Sequence, residues 1–222
     1  MRNIRRIAAA GTMAALAISL SACGSSSSPT PSTPTAAAAP TSSAPAASSD
    51  GVTTASDTFG AACGQLPQGN SPGSLEAMGP QPVATAASTN PLLTTLVTAV
   101  KAAGLVDTLN SQKAITVFAP YNKAFADVKA ALGDAKFNAL LADKAGLGDV
   151  LKGHVVAERL DREGLVEKAT IPTLQGANLQ VKDAGSTISV TDGSGATANV
   201  LCGNIPTSNA TVFVIDKVLM AK

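Results

Sequence analysis

The chain has no tryptophan, one tyrosine, five phenylalanines and one histidine. Its core must therefore be aliphatic. A lone histidine excludes every multi-histidine metal site and most catalytic designs in which a histidine base works with a second histidine. Charge is scarce too: only 14% of the 222 residues are Asp, Glu, Lys or Arg, and the net charge is +1. Without a basic face or aromatics to stack on bases, nucleic acid is not an expected partner. There is no Gly-x-x-x-x-Gly-Lys-Ser/Thr phosphate loop and no Asp-x-Asp cluster for calcium, so neither a cofactor nor a metal is expected. The length suits one domain, or at most two small ones.

What is present begins with a leader. Arg2, Arg5 and Arg6 precede Ile7–Leu20, an uncharged run of 14 residues rich in Ala, Ile and Leu. That is the charged and apolar order of a signal peptide, and the run is short for a membrane span. Small residues then lead into a cysteine in Leu20-Ser21-Ala22-Cys23, which looks like the lipobox of exported bacterial lipoproteins. This reading makes residues 1–22 a removable signal peptide. Cys23 becomes the lipid attachment site and the contact with the membrane. Removal of residues 1–22 takes three arginines and no acid, so the charge falls from +1 to −2. The positive sign belongs to the export signal and implies no basic surface.

Residues 23–57 read as a tether. Gly24–Asp50 contains only Gly, Ser, Pro, Thr, Ala and the closing Asp50. Such a segment buries too little apolar surface to offset its ordering entropy. Five prolines bias it to extended conformations, and its 27 residues reach on the order of 80 Å. Its Ser/Thr/Pro content also suits O-glycosylation.

The folded part is expected from residue 58, with an N-terminal arm over 58–78 and a domain over 79–222. Asn90 caps and Pro91 opens a helix whose apolar stripe carries Leu92, Leu96 and Val100, with Gly104 as its stop. Ala114–Ala119 reads as a strand ending at Pro120. Asn122 is expected to cap the next helix, with Phe125 and Val128 facing inward. Helical patterns continue through Leu132, Phe137–Leu141 and Leu147–Leu151. From Leu174 the period changes to two, with turns at Asp183–Ser186 and Asp192–Gly195. Thr211–Met220 reads as a closing half-buried strand. Helices first and strands later indicate an α+β domain.

Two stretches carry a family resemblance. Thr116-Val117-Phe118-Ala119-Pro120-Tyr121-Asn122-Lys123-Ala124-Phe125 resembles the first signature box of fasciclin (FAS1) domains, and Ala210–Leu219 resembles the second. His154-Val155-Val156 falls where that family has a central Tyr-His pair. Val106–Ser111 and Asn209–Val212 are similar to mycobacterial members. The resemblance implies a single fasciclin-like domain, with N-terminal helices packed on a wedge of short antiparallel and mixed strands. It marks Phe118, Pro120, Asn122, Phe125, His154, Ile215 and Asp216 as residues of the fold signature. Gly153 stands where the family has Tyr, so integrin binding through that tyrosine is not carried over. Tyr121 stands for the usual Thr and removes a capping hydroxyl, leaving the cap to Asn122.

Export would place Cys63 and Cys202 in an oxidising compartment. With Cys23 lipidated, one pairing remains, Cys63–Cys202, as in the mycobacterial members. His154 reads as a half-buried ring bonded to backbone at a helix–strand joint. Gly69-Asn70-Ser71-Pro72-Gly73 matches the serine nucleophile elbow only formally. The residue after that serine must donate its N–H to an oxyanion, and Pro72 has none. Asp127, Asp134, Asp143 and Asp149 read as a solvated face. Asn209-Ala210-Thr211 is a glycosylation sequon, read as incidental.

No catalytic residue is expected. The lipobox points to a lipoprotein held by Cys23 on the extracytoplasmic face of the membrane, with its folded domain expected to be monomeric. The fasciclin resemblance implies adhesion or contact with a protein or glycan, and the similarity to mycobacterial members implies recognition by a host. Two other readings stay open: a carrier of a small apolar or lipid-like envelope molecule, and a hydrolase using His154.

Overall fold

The computed structural model describes residues 50–220. The lipobox, Cys23 and the tether up to residue 49 lie outside the described residues. Four helices come first: α1 (Leu75–Met78), α2 (Val83–Thr89), α3 (Thr94–Ala103) and α4 (Val106–Ser111). Strand β1 (Ile115–Pro120) follows, then α5 (Asn122–Leu132), α6 (Asp134–Ala142) and α7 (Lys144–Lys152). β2 (Val155–Val156) and α8 (Arg162–Lys168) lead to β3 (Thr170–Pro172), β4 (Asn178–Asp183), β5 (Ile188–Thr191), β6 (Thr197–Pro206) and β7 (Ala210–Ile215).

The punctuation read from sequence is visible in the backbone. The Asn90 side chain accepts from the N–H of Leu92 at 2.9 Å and opens a 3-10 turn at Pro91–Leu93 that runs into α3. Gly104 ends α3 with φ +70°, a left-handed conformation in which glycine has no Cβ penalty.

The seven strands lie in the order β2-β1-β7-β6-β5-β4-β3. β1 and β7 run parallel, from Ile115 beside Ala210 to Pro120 beside Ile215, and the other pairs are antiparallel. Side chains alternate across this central pair. Ile115, Val117, Ala119, Val212 and Val214 face a core shared with α2, α3, α5, α6 and α7. Phe118, Phe213 and Ile215 face a second core with Leu165, Ile171, Leu179, Ile188 and Val190.

Two expectations are corrected. The closing segment is not half-buried: β7 is buried along its whole length and ends at Ile215. It sits between β1 and β6 with an apolar core on each face, the setting of parallel strands. Residues 51–57, assigned by composition to the tether, pack on the domain. The Thr211 hydroxyl donates to the Gly51 carbonyl at 2.7 Å, and Asn204 Nδ2 donates to the Asp57 carbonyl at 3.2 Å. Polar contacts to distant strands hold this stretch, so apolar content is no guide to it.

Candidate functional site

The N-terminal arm lies along β6. Phe59 and Gly203 exchange backbone hydrogen bonds of 3.3 and 2.8 Å, and Ala62 donates to the Leu201 carbonyl at 3.0 Å. Cys63 and Cys202 form a disulfide with their Cα atoms 4.9 Å apart. Phe59 lies over Gly203, where an added Cβ would come within 2.5 Å of the ring. The ring packs toward Phe213, which lies tilted against Phe118 with ring centroids 5.7 Å apart, while the Arg162 guanidinium sits over the Phe59 ring, 4.6 Å from its centroid.

Asn122 does not cap its own helix. The cap of α5 is Tyr121, with no side-chain hydrogen bond. Asn122 occupies the first helical position and turns to α3. Its Oδ1 accepts from the Thr95 N–H at 3.0 Å and the Thr94 hydroxyl at 3.1 Å, while Nδ2 donates to the Pro91 carbonyl at 2.9 Å. Phe125 and Pro120 belong to the helical side of the molecule, with Phe125 buried. Asp216 clamps the end of β7 to β6: its carboxylate accepts from Asn199 N–H at 2.7 Å and Asn199 Nδ2 at 2.8 Å.

Asn209 gathers three segments. Its Oδ1 accepts from the Val83 N–H at 2.9 Å, the start of α2, and Nδ2 donates to the carbonyls of Leu109 and Gln112 at 2.9 Å each. Asn110 Oδ1 adds to the cap at the start of α2 by accepting from the Ala84 N–H at 3.0 Å. The two stretches similar to mycobacterial members, Val106–Ser111 and Asn209–Val212, thus meet at one hydrogen-bonded junction. Nothing in the local sequence separates this asparagine from an exposed sequon.

His154 is only 2% exposed, more deeply buried than a joint between helix and strand suggested. Nδ1 lies 2.8 Å from the Val150 carbonyl, and Nε2 accepts from the Leu219 N–H at 2.9 Å. Nδ1 therefore carries the proton and donates it to Val150. Burial holds the imidazole down to about 4, against the pull of the Val150 carbonyl and Asp192. Both nitrogens are committed to backbone, so neither is free to activate a nucleophile. Ser71 stands on an exposed turn with no strand before it. Asp127, Asp134 and Asp149 pair with Lys123, Lys129 and Lys152 at the surface, and Asp143 caps α7.

Beside His154 an apolar cavity of about 370 Å³ opens between α2, α3, α4, the end of α7 and strands β1 and β2. Leu96, Val100, Leu109, Val117, Leu151 and Val155 wall it. Exposed Leu174, 39% accessible, lies at its mouth. The charged lining residues are Lys101 and Lys152, each in the last turn of its helix and exposed. No carboxylate lines it. From sequence, Leu96 and Val100 read as part of a core stripe. That these side chains face a void, and that lysines from two helices distant in sequence line one cavity, depends on α3 packing against α7.

The fasciclin domain family matches residues 91–221, which holds both signature boxes, the histidine and the Cys202 half of the bridge. The chain belongs to the fasciclin-domain family. It is 38% identical over 220 residues to the cell surface glycolipoprotein MPB83 of Mycobacterium bovis, covering 96% of this chain and 94% of that one. It is 40% identical over 174 residues to the immunogenic protein MPB70 of Mycobacterium bovis, covering 75% of this chain and 83% of that one. Among solved structures, a FAS1 domain pair from the insect cell adhesion molecule fasciclin I superposes with a TM-score of 0.55 at 17% identity. That superposition covers 63% of this chain and 51% of the insect one, and it speaks to the fold alone. Among the described residues, no group of His, Cys, Asp and Glu is placed to hold a metal ion, and no single helix is long and apolar enough to cross a membrane.

Proposed function

We propose that this fasciclin-domain protein is a non-enzymatic surface lipoprotein. Residues 1–22 direct export, and Cys23 carries the lipid that holds the chain on the extracytoplasmic face of the membrane. The proline-rich tether extends a domain that contacts a protein or glycan. The observation that carries this reading is the extent of the match to MPB83. It leaves out 4% of this chain, about nine residues, so the lipobox and Cys23 lie inside the matched span. A relative named a cell surface glycolipoprotein supports both the anchor and sugar on the Ser/Thr/Pro tether. The relative named an immunogenic protein supports recognition by a host. A single acyl chain binds membranes only marginally, so stable anchoring needs the additional chains of a lipoprotein cysteine. Detergent phase partitioning of exported protein tests the anchor: wild type enters the detergent phase and Cys23→Ala stays in the aqueous phase. Retention of exported Cys23→Ala in the membrane would end this reading.

A second reading is favoured by the cavity beside His154. Its volume falls within the range of small-molecule sites, roughly 300–1,000 Å³, and its lining is mostly apolar with a few polar groups at the mouth. Such a domain carries a small apolar molecule of the envelope.

A further inference from the structure

We infer that the cavity holds a single-chain fatty acid, its hydrocarbon between α3 and the β1–β2 edge and its carboxylate at Lys101 and Lys152. This rests on the carrier reading and names the ligand class for it. Three observations favour an amphiphile of this kind. The inner wall is aliphatic: Leu96, Val100, Leu109, Val117 and Leu151 leave a void in which their methyl groups lack partner atoms, and a hydrocarbon restores those contacts. The mouth is cationic. Lys101 and Lys152 line the cavity from the last turns of α3 and α7, with Lys152 only loosely shared with Asp149 at 3.4 Å and no acid in the lining. Polar side chains of Thr85, Ser88 and Thr108 accompany them at exposed positions of the rim. The volume of about 370 Å³ is near the lower end of ligand sites, which suits one chain and not two.

The sign of the rim separates a fatty acid from a neutral lipid. A carboxylate at two ammonium groups gains charge-assisted hydrogen bonds that an alcohol of equal length does not. The test uses the full chain bearing Cys23→Ala, so that no attached acyl chain competes. Neutral diphenylhexatriene serves as the fluorescent occupant, displaced by dodecanoate or by dodecanol. Dodecanoate is expected to displace it at about tenfold lower concentration than dodecanol. Lys101→Glu with Lys152→Glu removes that difference and leaves dodecanol unchanged. Val97→Trp, which fills the lumen from α3, abolishes displacement by both, with Ala87→Leu as a milder filling variant and thermal unfolding as the check on folding. Equal potency of dodecanoate and dodecanol in the parent chain overturns the fatty-acid assignment and leaves the carrier reading standing. No occupancy of the parent chain by diphenylhexatriene, or occupancy that both filling variants retain, overturns the two together.

Discussion

The imidazole of His154 is held in one protonation state by two backbone groups, the Val150 carbonyl and the Leu219 N–H. Protonating Nε2 would set a donor against the Leu219 N–H donor at a buried position. Its folded value of about 4 lies below the usual 6.5. As pH falls through about 6.5 the unfolded chain takes up a proton that the folded chain refuses until about 4, so stability is full above this window and declines within it. The loss by pH 4 is on the order of 3 kcal/mol. Denaturant unfolding of wild type and His154→Gln at successive pH values measures it: the slope between 6.5 and 4 should flatten in the variant, apart from the carboxylate contribution. Asn209 makes a second residue-scale case. Asn209→Ala strands the Val83 N–H and two carbonyls in buried surroundings and should lower stability by about 2–3 kcal/mol. The histidine's backbone bonding at a helix–strand joint was legible in the sequence. Its depth was not, because Leu219 lies 65 residues away. The role of Asn209 was equally hidden, since its partners come from 97 to 126 residues earlier.

At the scale of elements, helix ends are closed by side chains from elsewhere in the chain. Asn122 serves α3, and Asn209 with Asn110 serves α2. Loss of such a cap costs about 1 kcal/mol. Asn122→Ala should therefore speed amide exchange at Thr95 and along the first turn of α3 while leaving the first turn of α5 unchanged. Faster exchange in α5 instead would return Asn122 to the role of a local cap. Helix and strand positions were largely legible, because Asn-Pro, Gly104, the change of period near Leu174 and the Asp-Gly turns act locally. Strand neighbours were not. The parallel pairing of β1 with β7 joins segments about 95 residues apart, and the cores on the two sides of the sheet bury both faces of β7. The break in β6 between Val200 and Ile205 was also illegible, although Gly203 and Asn204 lie in it; Asn204 has φ +58° and Gly203 admits the Phe59 ring.

Over the whole molecule, one covalent link closes a long loop. Cys63–Cys202 spans 139 positions, and restricting so long a loop in the unfolded chain stabilises the fold by about 5 kcal/mol in the chain-entropy account. Cys202→Ser should lower the free energy of unfolding by up to about that amount, measured with denaturant. Exchange should rise first at Phe59 and Ala62, whose hydrogen bonds tie the arm to β6. An unchanged unfolding midpoint would mean that the arm is held by Phe59 and its neighbours without the bridge. The same arm extends further toward the N-terminus than composition suggested, because Gly51 and Asp57 are bound through single polar contacts to β7 and β6.

By itself the sequence determined the helical and strand segments, the aliphatic character of the core, the candidate lipid site at Cys23 and the family, because each is written in neighbouring residues or in short motifs. Tertiary structure alone decided which side of each stripe meets core and which meets the cavity. It also placed Lys101 and Lys152 in the lining of one cavity, buried Asn209, and turned Asn122 toward another helix. These depend on contacts between segments tens of residues apart, and helix or strand periodicity records only that a face is apolar, not what lies opposite it.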